Sequence, residues 1–192
     1  MRSKIGCSLA LLTALVCASG VRAAEDAAAR FTFTIPNAPE STVDGKGRFT
    51  LTLNRWSTEA ERDEMLRIAK ERGTANLLDA FRQTAAVGYL RWPGGLEYSV
   101  RYARRVERPD KGADVVLVVE RPLWVWWDTA AKAPSPTEDR FSVVQVRLNA
   151  DGGGEGRIAP AASIKTDTQL GVLVADYASR PVLLNDVRRE DS

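Results

Sequence analysis

The strongest constraint in this chain is a one-for-one alternation of apolar and polar residues that recurs in many segments and gives way to a helical pattern over residues 58–86. A strand with one wet face needs that period, and a helix cannot use it. Phe31-Thr32-Phe33-Thr34-Ile35 shows it first. Val43-Asp44-Gly45-Lys46-Gly47 then reads as a turn, since Asp-Gly readily supplies positive φ. From Arg48 to Trp56 the alternation returns, with Phe49, Leu51 and Leu53 sharing a face.

At Ser57 the period changes. Ser57 or Thr58 is placed to cap a helix, with Glu61 three residues after Thr58 completing a capping box. Met65, Ile68 and Ala69 form an apolar stripe, Asp63 and Arg67 are spaced as an i,i+4 pair, and Gly73 stops the helix. Thr74 then caps a second helix whose Leu77, Leu78, Phe81 and Ala85 are expected to face the core. Two helices joined so tightly make an antiparallel hairpin.

Strands resume after Val87. Tyr89–Trp92 and Leu96–Val106 flank the turn Pro93-Gly94-Gly95, and strict alternation puts Leu96, Tyr98, Val100 and Tyr102 on one face. Asp110-Lys111-Gly112 turns the chain into Val115–Val119, apolar on both faces and so a central strand covered by the helical hairpin. After a connection over Thr129–Asp139, Phe141–Leu148 and Arg157–Pro160 flank the glycine-rich Asp151–Gly156, read as a turn. Leu170–Tyr177 and Val182–Val187 close the chain around a turn at Ala178-Ser179-Arg180-Pro181. The expected fold is α+β: a single domain, mainly β with a helical hairpin, in which an antiparallel sheet of about eight or nine strands curls into a barrel or a two-layer sandwich.

The first residues read differently. Arg2 and Lys4 precede an apolar run of roughly 14 residues, against the about 20 that span a bilayer, and Ser19–Ala23 supplies small residues suited to signal peptidase. The expected organisation is a cleaved signal peptide over 1–23, a loose lead over 24–30, the domain over 31–188 and a tail over 189–192. The product would be periplasmic or secreted, with no transmembrane segment after processing. Removing Arg2, Lys4 and Arg22 takes the 27 bases to 24 against 25 acids, a net charge of −1. The cut also removes Cys7 and Cys17, the two cysteines, and the chain has no histidine. Histidine and cysteine triads, thiolate or imidazole metal sites and disulfides fall away together, so no cofactor, metal or catalytic residue is assigned. The charge balance also argues against nucleic-acid binding.

Two constellations stand out. Trp124, Trp126 and Trp127 lie beside Asp128 within Pro122–Asp128, and such rings either plug the end of a barrel or receive an apolar ligand. Arg101, Arg104, Arg105 and Arg108, with Arg91 across a hairpin, either hold an anionic group or are balanced by Glu97, Glu107 and Asp110 on a wet face. The candidate ligand-binding residues are therefore Trp124, Trp126, Trp127, Tyr98, Tyr102, Arg101 and Arg104, around a cavity bounded by the face of Leu96–Tyr102, the tryptophan segment and the helical hairpin. A hydrolase using a carboxylate pair drawn from Asp128, Glu138 and Asp139 is the catalytic alternative.

Arg55-Trp56-Ser57-Thr58-Glu59-Ala60-Glu61-Arg62, Tyr102-Ala103-Arg104, Glu120-Arg121-Pro122 and Pro181-Val182-Leu183-Leu184 together resemble a group of uncharacterised, predicted secreted bacterial proteins. The resemblance implies bacterial export and one whole-chain domain, and it carries no reaction or ligand. The expected function is an exported, non-catalytic binding domain for a small apolar or amphiphilic molecule; the alternative is a module that docks on an envelope protein.

Overall fold

A computed structural model describes residues 29–36, 48–91, 97–120, 141–177 and 181–191. The expected signal peptide, the turns around Asp44-Gly45, Pro93-Gly94-Gly95 and Ala178-Ser179-Arg180, the tryptophan segment, and Glu138 and Asp139 lie outside the described residues. Among the described residues nine strands form: β1 (Ala29–Thr34), β2 (Arg48–Leu53), β3 (Gly88–Arg91), β4 (Glu97–Glu107), β5 (Ala113–Val119), β6 (Phe141–Leu148), β7 (Gly153–Asp167), β8 (Gly171–Tyr177) and β9 (Val182–Asp191). All pair antiparallel, in the order β6-β5-β4-β3-β2-β1-β9-β7-β8, and β6 also pairs with β7. That extra pairing closes eight strands into a barrel, because the ring runs from β1 through β6 and returns by β7 and β9. Strand β8 hangs outside the ring on the far half of β7.

Eight strands make a barrel just wide enough for side chains to fill. Each closing strand contributes inward residues here, among them Phe31, Phe33, Phe49, Leu51, Leu90, Val100, Leu117, Val144, Ile158 and Leu184, all buried. Phe33 stacks flat on Phe49 at 5.5 Å, and Phe31 meets Trp56 edge-on at 6.4 Å. The sheet therefore closes around a packed interior, and the ends of the domain belong to it as well. Strand β1 starts at Ala29 rather than after a lead ending at Arg30, and β9 runs through the expected tail to Asp191, because each pairs with the other along this seam.

The helical hairpin lies against the outside of the barrel. Helix α1 (Glu59–Arg72) begins with the expected capping box: Glu61 N–H donates to Thr58 Oγ1 at 3.2 Å, and Thr58 N–H donates to Glu61 Oε2 at 2.8 Å. Gly73 ends it at φ +84°. A 3-10 turn over Thr74–Asn76 leads into α2 (Leu77–Gln83), with no side-chain cap from Thr74. Two expectations fail on the helices. Ala85 is exposed beyond the end of α2. Arg67 bonds Glu64 and Glu71, while Asp63 receives Arg62, so the spaced Asp63–Arg67 pair does not form. The buried face of the hairpin is Met65, Ile68, Leu77, Leu78 and Phe81, packed on outward residues Val116, Val118, Val143 and Ala159.

Strand β4 departs from strict alternation at a single point. Val100 pairs with Val119 but Tyr102 pairs with Val118, so one extra residue, Arg101, is accommodated as a β-bulge. Tyr98 and Val100 face the barrel interior, whereas Tyr102 belongs to the outer core beside Phe81, with ring centroids 5.6 Å apart. The shared face expected of Tyr98, Val100 and Tyr102 is thus split between the two sides of the wall.

The third hairpin also turns more tightly than expected. Its turn is Asn149–Gly152, and Gly153 to Gly156 are already strand. A Cβ at Gly154 would collide with the Arg147 carbonyl, so glycine there permits the close approach of β6 and β7.

Candidate functional site

The sequence motifs singled out around Ser57 and Tyr102 meet in space, and what they build is a joint. Ser57 N–H donates to the Ala103 carbonyl at 2.8 Å, and Ala103 N–H donates to Ser57 Oγ at 3.0 Å, so the segment leading to α1 is stitched to β4 just past the bulge. Arg55 grips Glu61 with both nitrogens, at 2.7 and 2.8 Å, and this hydrogen bonding holds the Glu61 carboxyl below its usual range. Arg104 donates to the Ser57 carbonyl at 3.2 Å and to Glu59 at 2.7 Å, and its hydrogen bond lowers the Glu59 carboxyl in turn. Tyr102 donates its hydroxyl to the Leu170 carbonyl at 2.8 Å, and burial pushes the phenol upward.

The expected arginine patch is therefore dispersed. Arg101 sits at the bulge, bonding Glu120 at 2.6 Å and the Thr84 carbonyl at 2.9 Å, with both charged side chains mostly covered. Arg91 pairs with Glu97 across the β3–β4 hairpin, Arg105 with Glu107, and Arg108 with Asp110. Arg101 and Arg104 each bond a carboxylate and a backbone carbonyl within the fold. Tyr98 packs half-buried against the barrel core. Tyr98 and Tyr102 therefore stand on opposite sides of the barrel wall, each against its own packed core. Trp124, Trp126 and Trp127 lie outside the described residues.

A different surface offers room. On the outer face of β5, β6, β7 and β9, residues align in three cross-strand rows. The first, Val118–Val143–Ala159, is covered by the helices. In the next, Val116–Gln145–Arg157–Leu183, Arg157 Nε donates to Gln145 Oε1 at 3.1 Å. The last, Asp114–Arg147–Glu155, is charged throughout. Polarity rises row by row away from the helices. Leu170 and Leu173, from the β7–β8 hairpin, stand over this surface, and the resulting open groove has a volume of about 580 Å³.

Leu183 is the exposed large apolar residue along the groove, at 60 % exposure. Its neighbours Val182 and Leu184 face the barrel core, so alternation sends Leu183 outward. The unbroken apolar run Val182-Leu183-Leu184 was the signal available in the sequence: a strand with one wet face has no use for three apolar residues in succession. The charges flanking the groove are two acids, Asp114 and Glu155, and two bases, Arg147 and Arg157. Such a surface can hold an apolar chain against Leu170, Leu173 and Leu183 and a dipolar head against the charged row. Among the described residues no cluster of acidic side chains is arranged to hold a metal, and no helix is long and apolar enough to cross a membrane. Compared with known proteins, the chain matches no family model, no curated protein and no solved structure.

Proposed function

We propose that this protein is an exported, non-catalytic binding domain that holds a small amphiphilic molecule on the outer face of its barrel. The observation that carries the reading is the stepwise polarity of the three rows, with Leu183 exposed at the amphipathic step. A volume of about 580 Å³ falls in the range of small-molecule sites, about 300–1,000 Å³. The mixed charges suit a zwitterionic head better than a purely anionic or cationic one. Export to the periplasm or beyond is supported by the charged n-region, the short apolar run and the small residues at Ser19–Ala23.

A carboxybetaine with a twelve-carbon chain, titrated into the full chain below its micellar concentration, tests the site without introducing a phosphate. Binding should weaken roughly ten- to hundredfold in Leu183→Asp, which corresponds to losing about 1.5–3 kcal/mol of leucine burial. Wild-type affinity in both Leu183→Asp and Leu173→Asp would refute the groove as the site. Native mass spectrometry of protein purified gently from its host separates the alternatives, since a co-purifying polypeptide in place of a small adduct would favour a docking module.

A further inference from the structure

At the end of the barrel that carries the β4–β5 and β6–β7 turns, the inward-facing pattern changes sign. Arg105 pairs with Val115 and Arg189 with Phe31, and both partners belong to the interior core, so these two arginines continue the inward face where the core stops. Lys111 and Asn149 come in from the two turns, and together with Asp151 and Leu148 they line a pocket of about 210 Å³ at the barrel mouth. Three bases thus face one acid, and that acid is engaged: Asp151 Oδ1 accepts from Gly153 N–H at 3.0 Å within its own turn.

Three further observations show this basic mouth to be more than a wet rim. Arg105 bonds Glu107 through Nη2 at 2.8 Å, yet its Nε is buried with no hydrogen-bond partner, a donor left unmatched inside the wall. Lys111 is held at φ +62°, a conformation that disfavours a side chain, and its ammonium has no partner among the described residues. The turn that presents Lys111 is braced: Arg108, only 11 % exposed, donates to the Leu148 carbonyl at 2.8 Å and pairs with Asp110 at 3.1 Å and Asp114 at 3.6 Å. The site's framework is thus fixed, while the Lys111 ammonium and the Arg105 Nε have no partner among the described residues.

We infer that the barrel mouth binds a tetrahedral oxyanion of the phosphoryl class, with the Arg105 and Arg189 guanidiniums and the Lys111 ammonium as its charge partners. Guanidinium forks match phosphoryl oxygens in pairs, and a lysine adds a compact charge, which is the donor set such a group takes. The volume leaves room beyond the oxyanion itself for the small group that carries it. The mouth is separate from the outer groove and stands on different residues.

Calorimetric titration of the full chain with inorganic phosphate, against chloride at matched ionic strength, is the direct test. Lys111→Gly removes the ammonium and places glycine at a positive φ, so it keeps the fold while its phosphate affinity should drop at least tenfold. Arg105→Gln should act in the same direction, Arg82→Gln on the exposed side of α2 should change nothing, and Leu183→Asp should leave phosphate binding intact even if the groove proposal fails. Co-sedimentation with phosphatidylglycerol or phosphatidylcholine vesicles identifies the source. Capture by phosphatidylglycerol vesicles that is lost in Lys111→Gly assigns a lipid headgroup, and phosphate binding without vesicle capture assigns a soluble phosphorylated molecule. The inference is overturned if wild-type protein binds neither probe, or if Lys111→Gly and Arg105→Gln bind as wild type does.

Discussion

The barrel interior draws on all eight closing strands, while the outer core joins two helices to one side of the same wall and to β8. Inside, stacked and edge-on aromatics are enclosed by a ladder that returns on itself, so no residue can loosen without disturbing neighbours on several strands. Outside, cohesion depends on a few points: the Ser57–Ala103 stitch, the Thr58 capping box and the Tyr102 hydroxyl reaching Leu170. Closure therefore makes the first core a property of the whole sheet, and attachment makes the second a property of named residues. The two proposed sites accordingly lie at the edge of the second core and the open end of the first, where packing stops.

Substitution can break this contrast. Phe33→Ala empties part of the closed core and should cost about 3–5 kcal/mol, in one cooperative transition seen by denaturant unfolding. A split transition, with the helices surviving loss of the barrel, would contradict the dependence of the outer core on the wall. Gly171→Ala attacks the attachment instead. At φ +83° a new Cβ would press on the Tyr102 hydroxyl, which should cost about 2–4 kcal/mol from strain and overpacking. Hydrogen exchange should then rise in α1 and α2 before it rises in β1 and β2.

Tyr102→Phe sharpens the comparison with the smallest expected effect, about 0.5–1.5 kcal/mol for one hydrogen bond. Its pH dependence gives a distinct readout. Burial raises the phenol above the ordinary value of about 10, so the folded state keeps its proton where the unfolded state loses it. The stability this contributes is complete below that ordinary value and is lost as pH rises toward the folded one. The gap between wild type and Tyr102→Phe should therefore narrow as pH climbs past about 10. A constant gap would mean that the hydroxyl is open to water.

Much of the architecture can be read from local pattern. Helix α1 starts at its capping box and stops at its glycine, and Val115–Val119 is apolar on both faces because Val115, Leu117 and Val119 enter the barrel while Val116 and Val118 meet the helices. The arginine cluster was legible as a set of charges together with the acids Glu97, Glu107 and Asp110 that balance it. The candidate site was not legible. Its rows come from β5, β6, β7 and β9, and which residues stand side by side depends on register, which no single strand records.

The amino-acid sequence by itself determined periods, caps and breaks, because a strand's alternation, a helix's stripe and a glycine's positive φ are fixed by covalent geometry within a few residues. Tertiary structure decided which side of the wall each side chain occupies after Arg101, since the extra residue is absorbed opposite the Val118–Val119 step of the neighbouring strand. It also decided that β6 and β7 close the ring and that Arg105, Lys111 and Arg189 gather at its mouth. These outcomes depend on chain segments far apart in sequence competing for the same partners, and that competition is settled only when the barrel closes.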